Sequence, residues 1–172
     1  MAAGTVPRPL RIGVIGSADA DPVSREIAFA VGRALARAEA LLVCGGGGGV
    51  MAAAAAGAAS EGGEVLGILP GDDPEAAAGG VSIPMPTGLG EARNALVVKT
   101  SEAVIAVAGG WGTVNEASLC MKIGRPLIGV RDRLGGSFTI DRYDDAAEGV
   151  ARALELAIEW RNRRHARMHD VR

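Results

Sequence analysis

Cysteine, histidine and lysine each occur only twice in this 172-residue chain, and each scarcity removes a class of chemistry. Cys44 falls in a predicted buried strand and Cys120 in a predicted helix, so free thiols in a reducing, cytoplasmic compartment are expected rather than a disulfide framework. Neither has metal-ligand spacing. His165 and His169 both lie near the C-terminus, which leaves a Ser-His-Asp triad without a histidine; their i, i+4 spacing alone does not make a metal site, and none is expected. Lys99 and Lys122 follow no glycine loop, so the P-loop nucleotide hydrolases are excluded. Long apolar runs are missing too. The alanine-rich stretch from Val50 to Ala59 is too short to cross a bilayer, and no signal-peptide pattern opens the chain, so no membrane association is expected. A net charge of −2 argues against a nucleic-acid partner. The basic stretch from Arg161 to Arg172 reads as a solvated helix end, because no aromatic is interleaved beyond Trp160.

What is present is a 48% apolar, 22% charged composition, that of a globular protein with enough core to fold without staples. Residues 1–172 are expected to form one domain. Strand-like and helix-like segments alternate along it. Leu10 to Ile15 reads as a buried strand ended by Gly16-Ser17. Asp21-Pro22 then supplies a helix cap and a first-turn proline, with Ile27, Val31 and Leu35 at helical spacing to about Ala38. Strands are expected at Leu41–Cys44, Glu64–Leu69, Val81–Ile83, Ala103–Val107 and Leu127–Val130. Helices are expected at Val50–Glu61, Gly90–Ser101 and Thr113–Ile123, with a long final helix from Tyr143 or Asp144. Asp72 to Gly80 reads as a polar loop. Near-continuous apolar strands alternating with helices specify a mainly parallel sheet covered on both faces, a single doubly wound, Rossmann-like α/β domain.

Two glycine clusters stand where such sheets bind ligands, beyond the carboxyl ends of strands. One is Gly45, Gly46, Gly47, Gly48 and Gly49, followed by Met51 in a helix. The other is Gly109, Gly110, Trp111, Gly112 and Thr113. Together with Gly16 and Ser17 they form three loops on one rim. A glycine turn into a helix exposes backbone N–H groups at the positive end of the dipole, which suits a phosphate or pyrophosphate. The dinucleotide fingerprint is poorly met at the first strand, since Gly13 lies inside it, and this argues against an NAD dehydrogenase.

Arg93 and Glu116 sit near the starts of helices that open onto this rim. Two readings of Glu116 stand: the carboxylate of a Thr113-Val114-Asn115-Glu116 capping box, or a functional carboxylate. Arg93 is either a surface arginine of a helix whose Ala92, Leu96 and Val97 face the core, or a site residue. Trp111 is a ring-stacking platform, a lid or a dimer contact.

The run Gly109 to Glu116, with Arg93-Asn94 and the Gly45 to Met51 loop, resembles the LONELY GUY (LOG) and "possible lysine decarboxylase" superfamily, whose signature is P-G-G-x-G-T-x-x-E. The similarity extends over nearly the whole chain. In the phosphoribohydrolase branch the matching arginine and glutamate are catalytic. The resemblance therefore implies that Glu116 activates water and stabilises an oxocarbenium-like ribosyl centre, while Arg93 orients a nucleoside 5′-monophosphate such as AMP and the glycine loops hold its phosphate. Such a reaction releases free base and ribose 5-phosphate and needs no cofactor. Ala108 stands where the signature has proline, however, and Asn94 where the hydrolases have lysine. In both respects the chain is more similar to the molybdenum cofactor carrier branch, which implies a binding or carrier protein for a phosphorylated, nucleotide-like ligand: molybdenum cofactor, AMP or phosphate. A pyridoxal lysine decarboxylase is not expected, because neither lysine is set in a Schiff-base pocket. The superfamily resemblance also implies a homodimer.

Overall fold

The structure is a computed structural model that describes residues 8–169. Residues 1–7 of the expected domain, residues 170–172 of the basic stretch and the side chain of His169 lie outside the described residues. The chain runs β1 (Arg11–Gly16), α1 (Pro22–Arg37), β2 (Leu41–Cys44), α2 (Val50–Ser60), β3 (Val65–Leu69), β4 (Ile83–Pro86), α3 (Asn94–Thr100), β5 (Ala103–Ala108), α4 (Trp111–Ile123), β6 (Leu127–Asp132), β7 (Asp141–Tyr143) and α5 (Ala146–His169). Short 3₁₀ turns occupy Pro74–Ala76 and Gly90–Arg93. The strands form one sheet in the order β4-β3-β2-β1-β5-β6-β7. All six neighbouring pairs are parallel, as the alternating pattern requires.

Side chains alternate across a strand, and the two faces have different covers. Ile12, Val14, Leu42, Ile105 and Val107 point into a core closed by α1, α2 and α5. Ile15, Val43, Val104 and Ala106 point into a second core closed by α3 and α4. Burying each isoleucine or leucine of these strands contributes about 1.5–3 kcal/mol. α1 begins where the sequence says it should: the Asp21 carboxylate accepts the Ser24 N–H at 2.7 Å, with Pro22 at the first helical position. α4 stops at Gly124, which takes a left-handed φ of 66°.

Several strand and helix ends shift by one or two residues, β6 among them in running on to Asp132, and four differences bear on the site or the sheet edges. The fourth strand is Ile83–Pro86 rather than Val81–Ile83, and Pro84 and Pro86 confine this exposed strand to the sheet edge. The expected helix from Gly90 divides into a 3₁₀ turn and α3. α4 starts two residues early, at Trp111. A seventh strand, Asp141–Tyr143, occupies part of what reads as loop and helix start, so α5 begins at Ala146. No described helix is long and apolar enough to cross a membrane.

Strand order reverses between β1 and β5, because the chain builds β1 to β4 in one direction and then returns to the other side of β1. This is the crevice at which doubly wound sheets bind ligands.

Candidate functional site

Three loops meet at that crevice, and Ser17 ties them together. Its carbonyl accepts the Val50 N–H at 3.0 Å, which fixes the start of α2. Its Oγ stands 3.7 Å from where a Cβ on Gly110 would be. A Cβ on Gly49 would come within 2.2 Å of the Ser17 carbonyl oxygen, and Gly49 has a φ of 61°, so only glycine lets these backbones touch. A Cβ on Gly45 would press on a side chain instead of backbone, 2.6 Å from Nη2 of Arg93. Gly46 donates its N–H to Cys44 Sγ at 3.4 Å.

The second cluster is different. Nothing lies within 4 Å of a Cβ placed on Gly112, and nothing closer than 3.7 Å to one on Gly109 or Gly110. The protein's own packing does not demand glycine there. The open space lies at the first turn of α4, whose N–H groups lack intrahelical acceptors and carry the positive end of the helix dipole. Gly47 and Gly48 are intermediate: Gly47 faces the Met51 methyl at 3.1 Å and Gly48 the Ala18 carbonyl at 3.3 Å.

Glu116 is not a capping residue. With α4 starting at Trp111, Gly110 takes the cap position and Thr113 the third helical position, where its Oγ1 accepts the Gly110 N–H at 3.2 Å. Glu116 falls in the second turn, 7% exposed. A glycine cap carries no side-chain signature, which is why the Thr113 to Glu116 spacing resembled the cap. Thr113, 1% exposed, shapes the loop from within.

Arg93 is not a surface arginine either. It ends the 3₁₀ turn 8% exposed, its guanidinium over Gly45 and its Nη1 3.9 Å from Glu116 Oε1. Nη1 donates to the Asn94 side-chain oxygen, and Asn94 Nδ2 donates to Asn115 Oδ1 at 3.2 Å, bracing α3 against α4. Arg93 Nε is buried without a hydrogen-bond partner among the described residues. Burial pushes the Glu116 carboxyl up to about 7; the Arg93 charge pulls it down and the Glu91 charge adds to the rise. Near neutral pH the protonated and ionised forms of Glu116 are therefore close in free energy. Cys44 and Cys120 are free, buried thiols pushed up to about 11 and 12 by desolvation, so they act as apolar packing around the pair rather than as nucleophiles. Trp111 is 90% exposed at the mouth.

One part of the rim had no glycine to mark it. Arg131 and Asp132 end β6 and Arg133 follows it, at the same rim as the glycine clusters after β2 and β5, and the Arg133 N–H donates to the Ala108 carbonyl at 2.9 Å. The signal was positional: a charged tripeptide at the carboxyl end of a buried strand. Among the described residues no group of three or more histidine, cysteine, aspartate or glutamate side chains is placed to hold a metal ion.

Solved structures share this architecture. The molybdenum cofactor binding protein of the phototrophic bacterium Rippkaea orientalis superposes with a TM-score of 0.80 at 29% identity, over 88% of this chain and 98% of that one. The Moco carrier protein of Chlamydomonas reinhardtii gives 0.79 at 30% identity, over 88% and 99%. An uncharacterized protein of Archaeoglobus fulgidus is 38% identical over 122 residues, 71% of this chain and 80% of that protein. The SLOG cluster4 family matches residues 9–157, which include every loop of the rim, and the chain belongs to that family.

Proposed function

We propose that this protein is a carrier for a phosphorylated pterin, the molybdenum cofactor, and not a hydrolase. The observation that carries the choice is Ala108. Its φ is 55°, a left-handed value that proline, locked near −65°, cannot adopt. The chain thus enters Gly109-Gly110 by a path closed to the proline of the hydrolase signature. The similarity to the molybdenum cofactor binding protein of Rippkaea and the Moco carrier protein of Chlamydomonas supports the same reading. The first turns of α2 and α4, with Gly47, Gly48, Gly110 and Gly112, would receive the phosphate on backbone N–H groups. Arg93 supplies a buried positive charge behind them, and exposed Trp111 a face on which a flat ring can stack. The cargo brings the metal chemistry; these residues hold it.

The test is retention. The protein is loaded with cofactor and passed through a desalting column, and the retained pterin is oxidised to a fluorescent form. Close to one equivalent is expected to stay with the protein, and pterin that elutes free overturns the reading. In parallel, AMP is expected to remain intact; adenine release that Glu116→Ala abolishes would replace the carrier with a phosphoribohydrolase. Association into a homodimer belongs to the same proposal. Trp111, Met121 and Ile123 leave apolar surface on α4, and light scattering should give twice the 17.4 kDa chain mass.

A further inference from the structure

A cavity of about 530 Å³ opens at the carboxyl ends of β6 and β7 beside the first turn of α1. Three guanidinium groups line it, those of Arg131, Arg133 and Arg142, with Ser24, Tyr143 and Asp144 among the other walls. The backbone is bent to make it. Pairing between β5 and β6 slips after Val107, so Ala108 faces Asp132 and Arg131 is the extra residue. Ala108 and Arg131 both take left-handed φ values, 55° and 50°, although neither is glycine. A backbone strained at two neighbouring positions of one bulge on a ligand rim needs a compensating use.

The bulge sorts the charges. It turns the Asp132 side chain inward to 2% exposure, where it accepts the Leu134 N–H at 3.0 Å and Arg142 Nε at 3.0 Å. Arg142 also donates Nη2 to the carbonyls of Gly135 and Phe138, at 3.0 and 3.2 Å, and is committed to holding the loop. Arg131 and Arg133 remain at the mouth, 55% and 65% exposed. Among the described residues their guanidinium groups pair with rim carboxylates, Asp144 at 3.4 Å and Asp21 at 2.6 Å. Exposed pairs of this kind are weak and exchange partners readily. Arg133 also borders the ligand rim: its backbone stands 3.7 Å from the position of a Cβ on Gly109.

We propose that this cavity is a second anion subsite, in which Arg131 and Arg133 take a tetrahedral oxyanion of the phosphate or molybdate class. The subsite is separate from the glycine loops and does not depend on which cargo they hold. A doubly charged oxyanion offers each guanidinium charge-assisted hydrogen bonds stronger than the rim pairs it replaces. Asp21 and Asp144 are then its competitors, held in place until the anion arrives.

The experiment titrates inorganic phosphate, and separately molybdate, into the full chain at low salt by calorimetry, with circular dichroism confirming that each variant is folded. Arg131→Ala and Arg133→Ala should each weaken one class of site about tenfold or more. Asp21→Asn keeps the helix cap and removes the competing charge, so it should tighten the same class. Gly112→Ala should leave that class unchanged. Absence of binding at millimolar anion, affinity indifferent to both arginine variants, or affinity unmoved or weakened by Asp21→Asn each overturns the proposal. Titrating phosphate into cofactor-loaded protein then separates the sources. Blocked binding means that the subsite takes a second anionic group of the cargo, and additive binding means a free oxyanion.

Discussion

Gly45 and Gly112 lack side chains for different reasons, and a single methyl at each separates packing from binding. At Gly45 the added Cβ would meet the Arg93 guanidinium at 2.6 Å. That group is buried, bonded to Asn94 and faced by Glu116, so it has little room to give. Gly45→Ala should therefore destabilise the protein by about 1–3 kcal/mol in urea denaturation. At Gly112 the methyl meets nothing, and replacing glycine inside a helix gains about 0.5–1 kcal/mol. Gly112→Ala should unfold at slightly higher urea yet bind phosphorylated cargo more weakly; unchanged affinity would mean that the α4 turn does not face the ligand. The glycine turns were legible because residue type and position after a strand speak for themselves, and Arg93 and Glu116 were marked only by their place near helix starts and by the family resemblance. The burial of Arg93 and the true cap of α4 were not, since both depend on which backbone lies across the crevice.

At the scale of elements, α1 and α2 approach closely enough that each touches the other's backbone. A Cβ on Gly32 would lie 2.0 Å from the Ala54 carbonyl oxygen, and one on Gly57 2.1 Å from that of Phe29. Helix propensity favours alanine over glycine by about 1 kcal/mol. Backbone cannot yield as a side chain does, and overpacking costs about 1–3 kcal/mol. Gly32→Ala and Gly57→Ala should each lower the melting temperature, the reverse of what propensity alone gives; a rise in either would show that the helices can separate. Nothing in the sequence marks this contact, because a glycine within a helical run carries no sign of the backbone packed against it. The strands of the sheet centre were legible because burial on both faces makes them continuously apolar, as in Ala103 to Ala108. The edges were not: β7 is three residues long and begins Asp141-Arg142, and β4 carries two prolines. Edge strands answer to solvent as much as to the core, so their composition is that of loops.

At the scale of the molecule, two buried glutamates set opposite limbs of its pH dependence. Glu102, 2% exposed, receives Arg161 Nε at 2.7 Å, Arg161 Nη2 at 2.6 Å and the Arg11 N–H at 3.0 Å. With Arg125 stacked 3.8 Å from the Trp160 ring, these bonds fasten α5 to the sheet. Burial alone would raise the Glu102 carboxyl, but its bonds to Arg161 and Arg11 and their charges hold it below its ordinary 4.5. Its stabilisation is present above that value and is lost as pH falls through the folded one. Asp21, bonded to the Ser24 N–H, and Glu61, bonded to Arg37 and Arg33, act in the same direction. Glu116 has the opposite sign. Raised from 4.5 to about 7, it keeps a proton in the folded state that the unfolded chain has released, so stability falls as pH rises between those values. The whole drop amounts to about 3 kcal/mol. Melting temperature measured from pH 3 to 8.5 should therefore peak near pH 5. Glu116→Gln should flatten the limb above the peak and exceed the native protein at pH 8, converging with it near pH 4. Glu102→Gln should be less stable than the native protein at pH 7 and approach it at pH 3. If Glu116→Gln is instead less stable at pH 8, Glu116 is ionised and held by Arg93, and the site presents a fixed ion pair rather than an exchangeable proton.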